Sequence, residues 1–147
     1  MSTVQTQTDR NTTGTQTAAQ PDLAARVRDL IGYIQQGRII DAMYEFYAED
    51  VRMQENNNPP TTGLADNVER EKLFLAYVKQ WKGFEADAVA VDAARGRTAV
   101  QSRLEFEAVD GKTVKMDQVA VQTWRDGKIV HEKFYYDTGT PAAPAQN

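Results

Sequence analysis

The sequence predicts an α+β fold on three observations. Stretches with apolar residues at helical spacing come first, four strand-like runs come last, and the 147-residue chain is the length of one hydrophobic core. Three N-terminal helices followed by a meander bury their apolar faces by covering one side of a curved antiparallel sheet. No internal repeat interrupts this order.

Residues 1–20 are mostly Thr, Gln, Ser, Asn and Ala, and residues 141–147 read PAAPAQN. Both are expected to be disordered tails around a folded unit of residues 21–140. Pro21-Asp22 signals a helix start, and Leu23, Val27, Leu30, Ile31 and Ile34 recur at helical spacing until Gly37. A second helix, Arg38 to Tyr47, carries Ile39, Met43 and Phe46 on one side and Ile40, Tyr44 and Tyr47 on another, which predicts burial on both sides. Val51 to Glu55 alternates as a short strand with Val51, Met53 and Glu55 on one face, and NNNPPTTG at Asn56 to Gly63 is a loop. A third helix is expected from about Ala65 to Trp81, offering Val68, Phe74, Tyr77, Val78 and Trp81 to the core. From Phe84 to Asp137, turns at Arg95-Gly96, Asp110-Gly111 and Asp126-Gly127 divide an antiparallel meander.

Hairpin register decides which side chains face the helices, because a one-residue slip turns every side chain to the other face. Three-residue loops at Asp110-Gly111 and Asp126-Gly127, with each Gly as a left-handed bulge residue, set Leu104 and Phe106 beside Met116 and Val114; two-residue loops set them beside Asp117 and Lys115. The apolar pattern selects the three-residue reading. It places Val100, Ser102, Leu104, Phe106, Ala108, Met116, Gln118, Ala120, Gln122 and Trp124 on the covered face, together with Val130, Glu132, Phe134 and Tyr136, and sets Glu132 opposite Ala120.

Composition removes whole classes of function. A net charge of −4 is not the basic footprint that nucleic acid or an anionic membrane requires. With no Cys and only His131, disulfides, thiol catalysis and multi-histidine zinc sites are excluded, and any metal would need oxygen ligands. No cluster has metal-ligand spacing, so neither metal nor cofactor is expected. No run reaches the roughly 18 apolar residues of a membrane helix, and the first twenty residues lack the basic start and apolar run of a secretory signal, so a soluble cytoplasmic protein is expected. A glycine-rich phosphate loop and an inner-face Ser-His-Asp arrangement are also missing. Acid-base chemistry or plain binding in a mostly apolar pocket remains.

Glu132 is the anomaly on the covered face, a carboxylate between apolar neighbours, where desolvation raises its pKa toward the range of a general base or acid. Pairing with Arg or Lys, or a place at an open rim, would make it structural instead. Glu55 repeats the pattern at the lip of the Asn56–Gly63 loop, where a carboxylate taken alone is more often a solvated strand end. Gln118, Gln122 and Ser102 are placed to orient a carbonyl or hydroxyl ligand, or to bond backbone and water. Tyr33 flanks the first helix's apolar stripe, either sending its hydroxyl into the cavity or snorkelling as a core tyrosine, the commoner case; Met116, Trp124, Phe134 and Tyr136 supply apolar wall, and Asp137 shares the outer face but lies at a strand end within reach of the rim. His131 and Asp117 fall on the outer face with Val119 and Val121, a surface suited to self-association.

Tyr47-Ala48-Glu49-Asp50-Val51, Asn58-Pro59-Pro60-Thr61-Thr62-Gly63 and Trp124-Arg125-Asp126-Gly127-Lys128-Ile129-Val130, in this order of elements, resemble the nuclear transport factor 2-like superfamily, in particular its SnoaL-like polyketide cyclases and ketosteroid isomerases. The resemblance covers most of Leu23 to Asp137. It implies a cone-like α+β barrel (cystatin-like), its pocket closed by the helices, usually in a homodimer. It implies further that the isomerases' general-base Asp falls on Glu55, their oxyanion-hole carboxylic acid on Ala120 and their oxyanion tyrosine near Leu30, one turn from Tyr33. Both oxyanion donors are then missing, which weighs against steroid isomerisation. The cyclases carry an acidic base in the final strand, a place open to Glu132 or Asp137, and the face argument favours Glu132. The expected function is cofactor-free proton transfer next to a carbonyl of an apolar ligand, with Glu132 and Glu55 as acid-base groups. The alternative is a non-catalytic binding or dimerisation module.

Overall fold

The computed structural model describes residues 22–138, so the tails expected at 1–20 and 141–147 lie outside the described residues. Helix α1 (Leu23–Gln35) starts where the Asp22 carboxylate accepts from the backbone N–H groups of Ala24 and Ala25, satisfying two donors that a helix start leaves open. Its buried residues are Leu23, Val27, Leu30 and Ile31, the face that the spacing predicts. Helix α2 (Ile39–Phe46) buries Ala42, Met43 and Phe46. Its second side is not covered as expected: Tyr44 is 59% exposed, and Tyr47 already belongs to the next strand.

Strand β1 (Tyr47–Glu55) begins four residues before the expected Val51, because Tyr47 pairs with Ile129 and tertiary pairing extends what propensity leaves undecided. It pairs with the short β2 (Thr61–Thr62). Helix α3 (Leu64–Tyr77) ends four residues before the expected Trp81, and the chain runs directly into β3 (Val78–Asp92). Val78 and Trp81 are therefore strand residues opposite Ala108 and Phe106. Their three-residue spacing looks helical because β3 is irregular at 78/80, 81/83 and 86/88, and each irregularity breaks the alternation that identifies a strand.

The sheet is completed by β4 (Arg97–Ala108), β5 (Thr113–Arg125) and β6 (Lys128–Tyr136) in the order β2-β1-β6-β5-β4-β3. The expected meander is present, but the sheet is not wholly antiparallel: β1 lies parallel to β6, with Met53 opposite Glu132 and Glu55 opposite Phe134. Three helices cover one face of a curved sheet that does not close, so β2 and β3 are its edges. The irregularities of β3 also interrupt what would be a long pairing template at that edge.

The two Asp-Gly turns differ. Val109, Asp110 and Gly111 form the expected three-residue loop, with Gly111 at φ +87° and Leu104 opposite Met116. At the second turn the expectation fails. Arg125 pairs with Lys128 around Asp126 (φ +51°) and Gly127 (φ +76°), the two-residue turn that needs positive φ at both positions. That turn alone would point Glu132 outward. An extra residue in β6 prevents this, since Trp124 pairs with Ile129 but Thr123 pairs with His131, leaving Val130 over. The two one-residue changes cancel in facing and add in register. Glu132 stays on the covered face but stands opposite Gln122, Ala120 faces Phe134, and fully buried Ile129 takes the inward place expected of Val130.

Candidate functional site

A cavity of about 230 Å³ lies between the helices and the concave sheet face. Leu30, Ile31, Ile34, Ile39, Met43 and Phe74 form its helical wall; Trp81, Phe84, Leu104, Met116, Ala120 and Phe134 form the apolar part of its sheet wall. Into this apolar lining project Tyr47, Glu55, Arg70, Glu71, Ser102, Gln118, Gln122, Glu132 and Tyr136. No helix of the described residues is long and apolar enough to cross a membrane, and no group of acidic or histidine side chains among them is placed to hold a metal.

Glu132 is 2% exposed and both of its oxygens are engaged. Tyr47 Oη donates to Oε1 at 2.5 Å, and Gln122 Nε2 donates to Oε2 at 2.8 Å. Burial raises the carboxyl to a pKa of about 6, while the two donors, which favour the anion, hold it down. Tyr47 is raised well above the usual phenol range by burial first, then by the Glu132 charge beside it.

Glu71, partly buried, is the second carboxyl of the cavity, pushed up to about 7 by burial and by the charges of Glu132 and Glu55, with Arg70 opposing. Glu132 and Glu71 interact as a coupled pair, and their repulsion disfavours charging both. No hydrogen bond holds its oxygens among the described residues. At the rim, Arg70 Nη2 donates to Glu55 Oε2 at 3.3 Å and Nη1 to Thr61 Oγ1 at 2.8 Å. Tyr136 faces Glu55, and burial together with that carboxylate raises its phenol. The backbone around the rim is fixed by side-chain amides: Asn56 exchanges two bonds with the Tyr136 backbone, and buried Asn67 donates to the Thr61 and Gly63 carbonyls at the start of α3.

Eight of the candidate site residues expected from the sequence meet at this cavity: Glu132, Glu55, Ser102, Gln118, Gln122, Met116, Phe134 and Tyr136. Tyr33, Trp124 and Asp137 do not line it. The Tyr33 ring packs edge-on against Phe46, centroids 5.2 Å apart, beneath the Arg38 guanidinium. Trp124 is buried in the core beside the Arg95-Gly96 turn, and Asp137 is exposed beyond the end of β6. His131 and Asp117 lie on the outer face as expected, beside Arg52 and Arg103 respectively. Glu71, Tyr47 and Arg70 also line the cavity, and the sequence pattern gives none of them a site role. Glu71 was legible in principle, since it stands three residues after Val68 and three before Phe74, in the middle of the α3 stripe that faces the sheet.

The sequence matches the SnoaL-like domain family over residues 27–132. No curated protein matches it. Among solved structures, an NTF2-like protein of unknown function from Burkholderia pseudomallei aligns at TM-score 0.68 and 16% identity, covering 78% of this chain and 90% of that one. A candidate isomerase from Bacillus subtilis aligns at 0.66 and 17%, covering 78% and 85%. A candidate SnoaL-like polyketide cyclase from Mesorhizobium loti aligns at 0.64 and 21%, covering 78% and 98%. Likeness at these identities establishes the fold and leaves the reaction to the site.

Proposed function

The chain belongs to the SnoaL-like domain family, and on that premise we propose that it binds a small, neutral, mostly apolar carbonyl compound and moves a proton next to that carbonyl, as a cofactor-independent cyclase or isomerase. The observation that carries this reading is the Tyr47–Glu132 pair in the wall of an apolar cavity, a base and an acid 2.5 Å apart. In the unit H–Cα–C=O the carbon that loses its proton and the oxygen that gains charge are about 2.4 Å apart, from standard bond lengths. The pair matches that spacing.

In this reaction Glu132 Oε1 takes the Cα proton, the C–H electron pair becomes the new C=C bond, and the carbonyl electrons move to oxygen. Oε1–H then donates to Tyr47 Oη, whose own hydrogen turns to the developing oxyanion. Return of the proton to another carbon completes an isomerisation, and attack of the enolate carbon on a second carbonyl gives an aldol cyclisation. Gln118 and Ser102 orient the ligand, and the buried indole N–H of Trp81, which has no acceptor among the described residues, offers a further donor. Glu55, tied to Arg70, shapes the mouth. Three carboxylates against one arginine select for neutral ligands over anions.

The test is α-proton exchange of ketones in D₂O, followed by NMR, after a thermal-shift screen of ketones, polyketides and terpenoids against carboxylates of the same skeletons. Stabilisation by ketones only, with exchange above the buffer rate, is expected. Binding without exchange supports the second reading, a ligand carrier, which one observation favours: both Glu132 oxygens are already bonded, as in a purely structural network.

We further propose a homodimer through the outer sheet face. Arg52, His131 and Arg97 lie in one row across the strands, and His131 is lowered by burial first and then by the charges of Arg52, Lys133 and Arg97. Asp117, with Glu85 and Asp87 around Arg103, lies toward the other end. A two-fold axis between the ends apposes opposite charges and covers Val119 and Tyr135, which are 36% and 48% exposed. Replacing Val119 and Val121 with Lys should turn a sedimenting dimer into monomer; a parent that is monomeric at micromolar concentration ends the proposal.

A further inference from the structure

Glu132 stands at the end of a row that runs across three strands. Thr98 on β4 is opposite Gln122 on β5, and Gln122 is opposite Glu132 on β6, a register that exists only because Val130 is the extra residue in its strand. Along this row Trp124 Nε1 donates to Thr98 Oγ1 at 2.8 Å, Thr98 Oγ1 donates to Gln122 Oε1 at 2.6 Å, and Gln122 Nε2 donates to Glu132 Oε2 at 2.8 Å. All four side chains are buried.

We infer that Thr98 and Trp124 are positioning residues: they lock the Gln122 amide as a donor to Glu132 Oε2, and thereby assign any proton that Glu132 takes to Oε1, against Tyr47. The direction follows from what each group can do. An indole N–H only donates, so Thr98 must accept from it. The single hydroxyl hydrogen of Thr98 is then left for the amide oxygen of Gln122, and the NH₂ of Gln122 faces Glu132. Turning the amide round would set its NH₂ against Thr98 and cost the buried hydroxyl hydrogen its acceptor in this row. Oε2 is therefore always offered a donor, and only Oε1 has a neighbour, the Tyr47 hydroxyl, that both donates and accepts. The titratable groups facing Glu132 are Tyr47 from β1 and Glu71 from α3; its β5 neighbour Gln122 is neutral. The Arg95-Gly96 turn holds the far end of the row, since Trp124 N–H donates to the Gly96 carbonyl and a side chain at Gly96 (φ +64°) would meet the Trp124 carbonyl at 3.1 Å.

For catalysis this inference rests on the acid-base reading above, but the address of the proton does not. Neither Thr98 nor Trp124 lines the cavity, so changes there act on Glu132 without touching a ligand. The experiment is a ¹³C NMR titration of the Glu132 carboxyl in the full chain, assigned by its loss in Glu132→Gln. Thr98→Val frees the Gln122 amide to turn and accept from the neutral carboxyl, so the Glu132 midpoint should rise by about one unit. Thr98→Ser, which keeps the hydroxyl, should restore the parental midpoint. A parental midpoint in Thr98→Val with a parental circular dichroism spectrum overturns the inference. Should Thr98→Val not fold, the parent itself decides. The Trp124 indole proton resonance should move with the Glu132 midpoint and lose that step in Glu132→Gln, and a resonance flat across the titration overturns the inference. Absence of ketone exchange would remove the acid-base reading and leave these titrations unaffected.

Discussion

Glu132→Gln should bind ketone ligands as the parent does and lose about 10²–10⁴-fold of their α-proton exchange, the usual worth of a positioned general base. The substitution keeps shape and both hydrogen-bond positions. Because Gln122 presents its NH₂ to the site of Oε2, the new amide oxygen must settle there, and the new NH₂ faces Tyr47 Oη. That arrangement copies the protonated carboxyl, with the Tyr47 hydrogen released toward the cavity. Affinity for a carbonyl oxygen is therefore kept, and only the proton acceptor is gone. Exchange and binding measured on the same ketone separate the two. Parental exchange in Glu132→Gln would remove Glu132 as the base, and loss confined to Glu55→Gln would move the role to the rim.

The order of elements was legible because it rests on local signals: an Asp22 cap, apolar spacing in α1, and glycines where the meander turns. From Glu132 onward the inward face of β6 was predicted correctly through a wrong turn, although Ile129 replaces Val130 before it. Asp126-Gly127 suits both a two-residue and a three-residue loop, and the strand pattern reports only which face a residue takes. A register moved by two residues leaves every face unchanged, so Glu132 could be assigned to the cavity from sequence while its partner could not. Tyr47 was hidden for a related reason. It continues the apolar periodicity of α2 and, as the first residue of β1, points to the same core, so nothing local marks the change from helix to strand. Tyr33 failed the other way. Its position beside the apolar stripe suits a cavity-facing hydroxyl, but Phe46 and Arg38 offer its ring a nearer berth.

Glu71→Gln should stabilise the fold at pH 8 and leave it unchanged near pH 4. The carboxyl has a folded pKa of about 7 against 4.5 for the free side chain, because burial and the charges of Glu132 and Glu55 disfavour its anion. A group raised in this way favours the folded state while it is protonated. That stabilisation is complete below about pH 4.5, shrinks as the unfolded chain ionises, and is gone above about pH 7, where the folded protein must carry the desolvated charge. Gln, the shape of the neutral carboxyl, never ionises. The difference between variant and parent should be near zero at pH 4, open between about 4.5 and 7, and level off at about 3 kcal/mol at pH 8, from a rise of roughly 2.5 units at 1.36 kcal/mol each. Carboxylates away from Glu71 titrate alike in both proteins and cancel in the difference, while the repulsion from Glu132 and Glu55 is part of the Glu71 effect itself. Urea unfolding of both at pH 4, 6 and 8 measures it. Parallel stability curves would mean that the Glu71 carboxylate is hydrated, and the cavity would then lack the low-dielectric wall on which the raised pKa of Glu132 also depends.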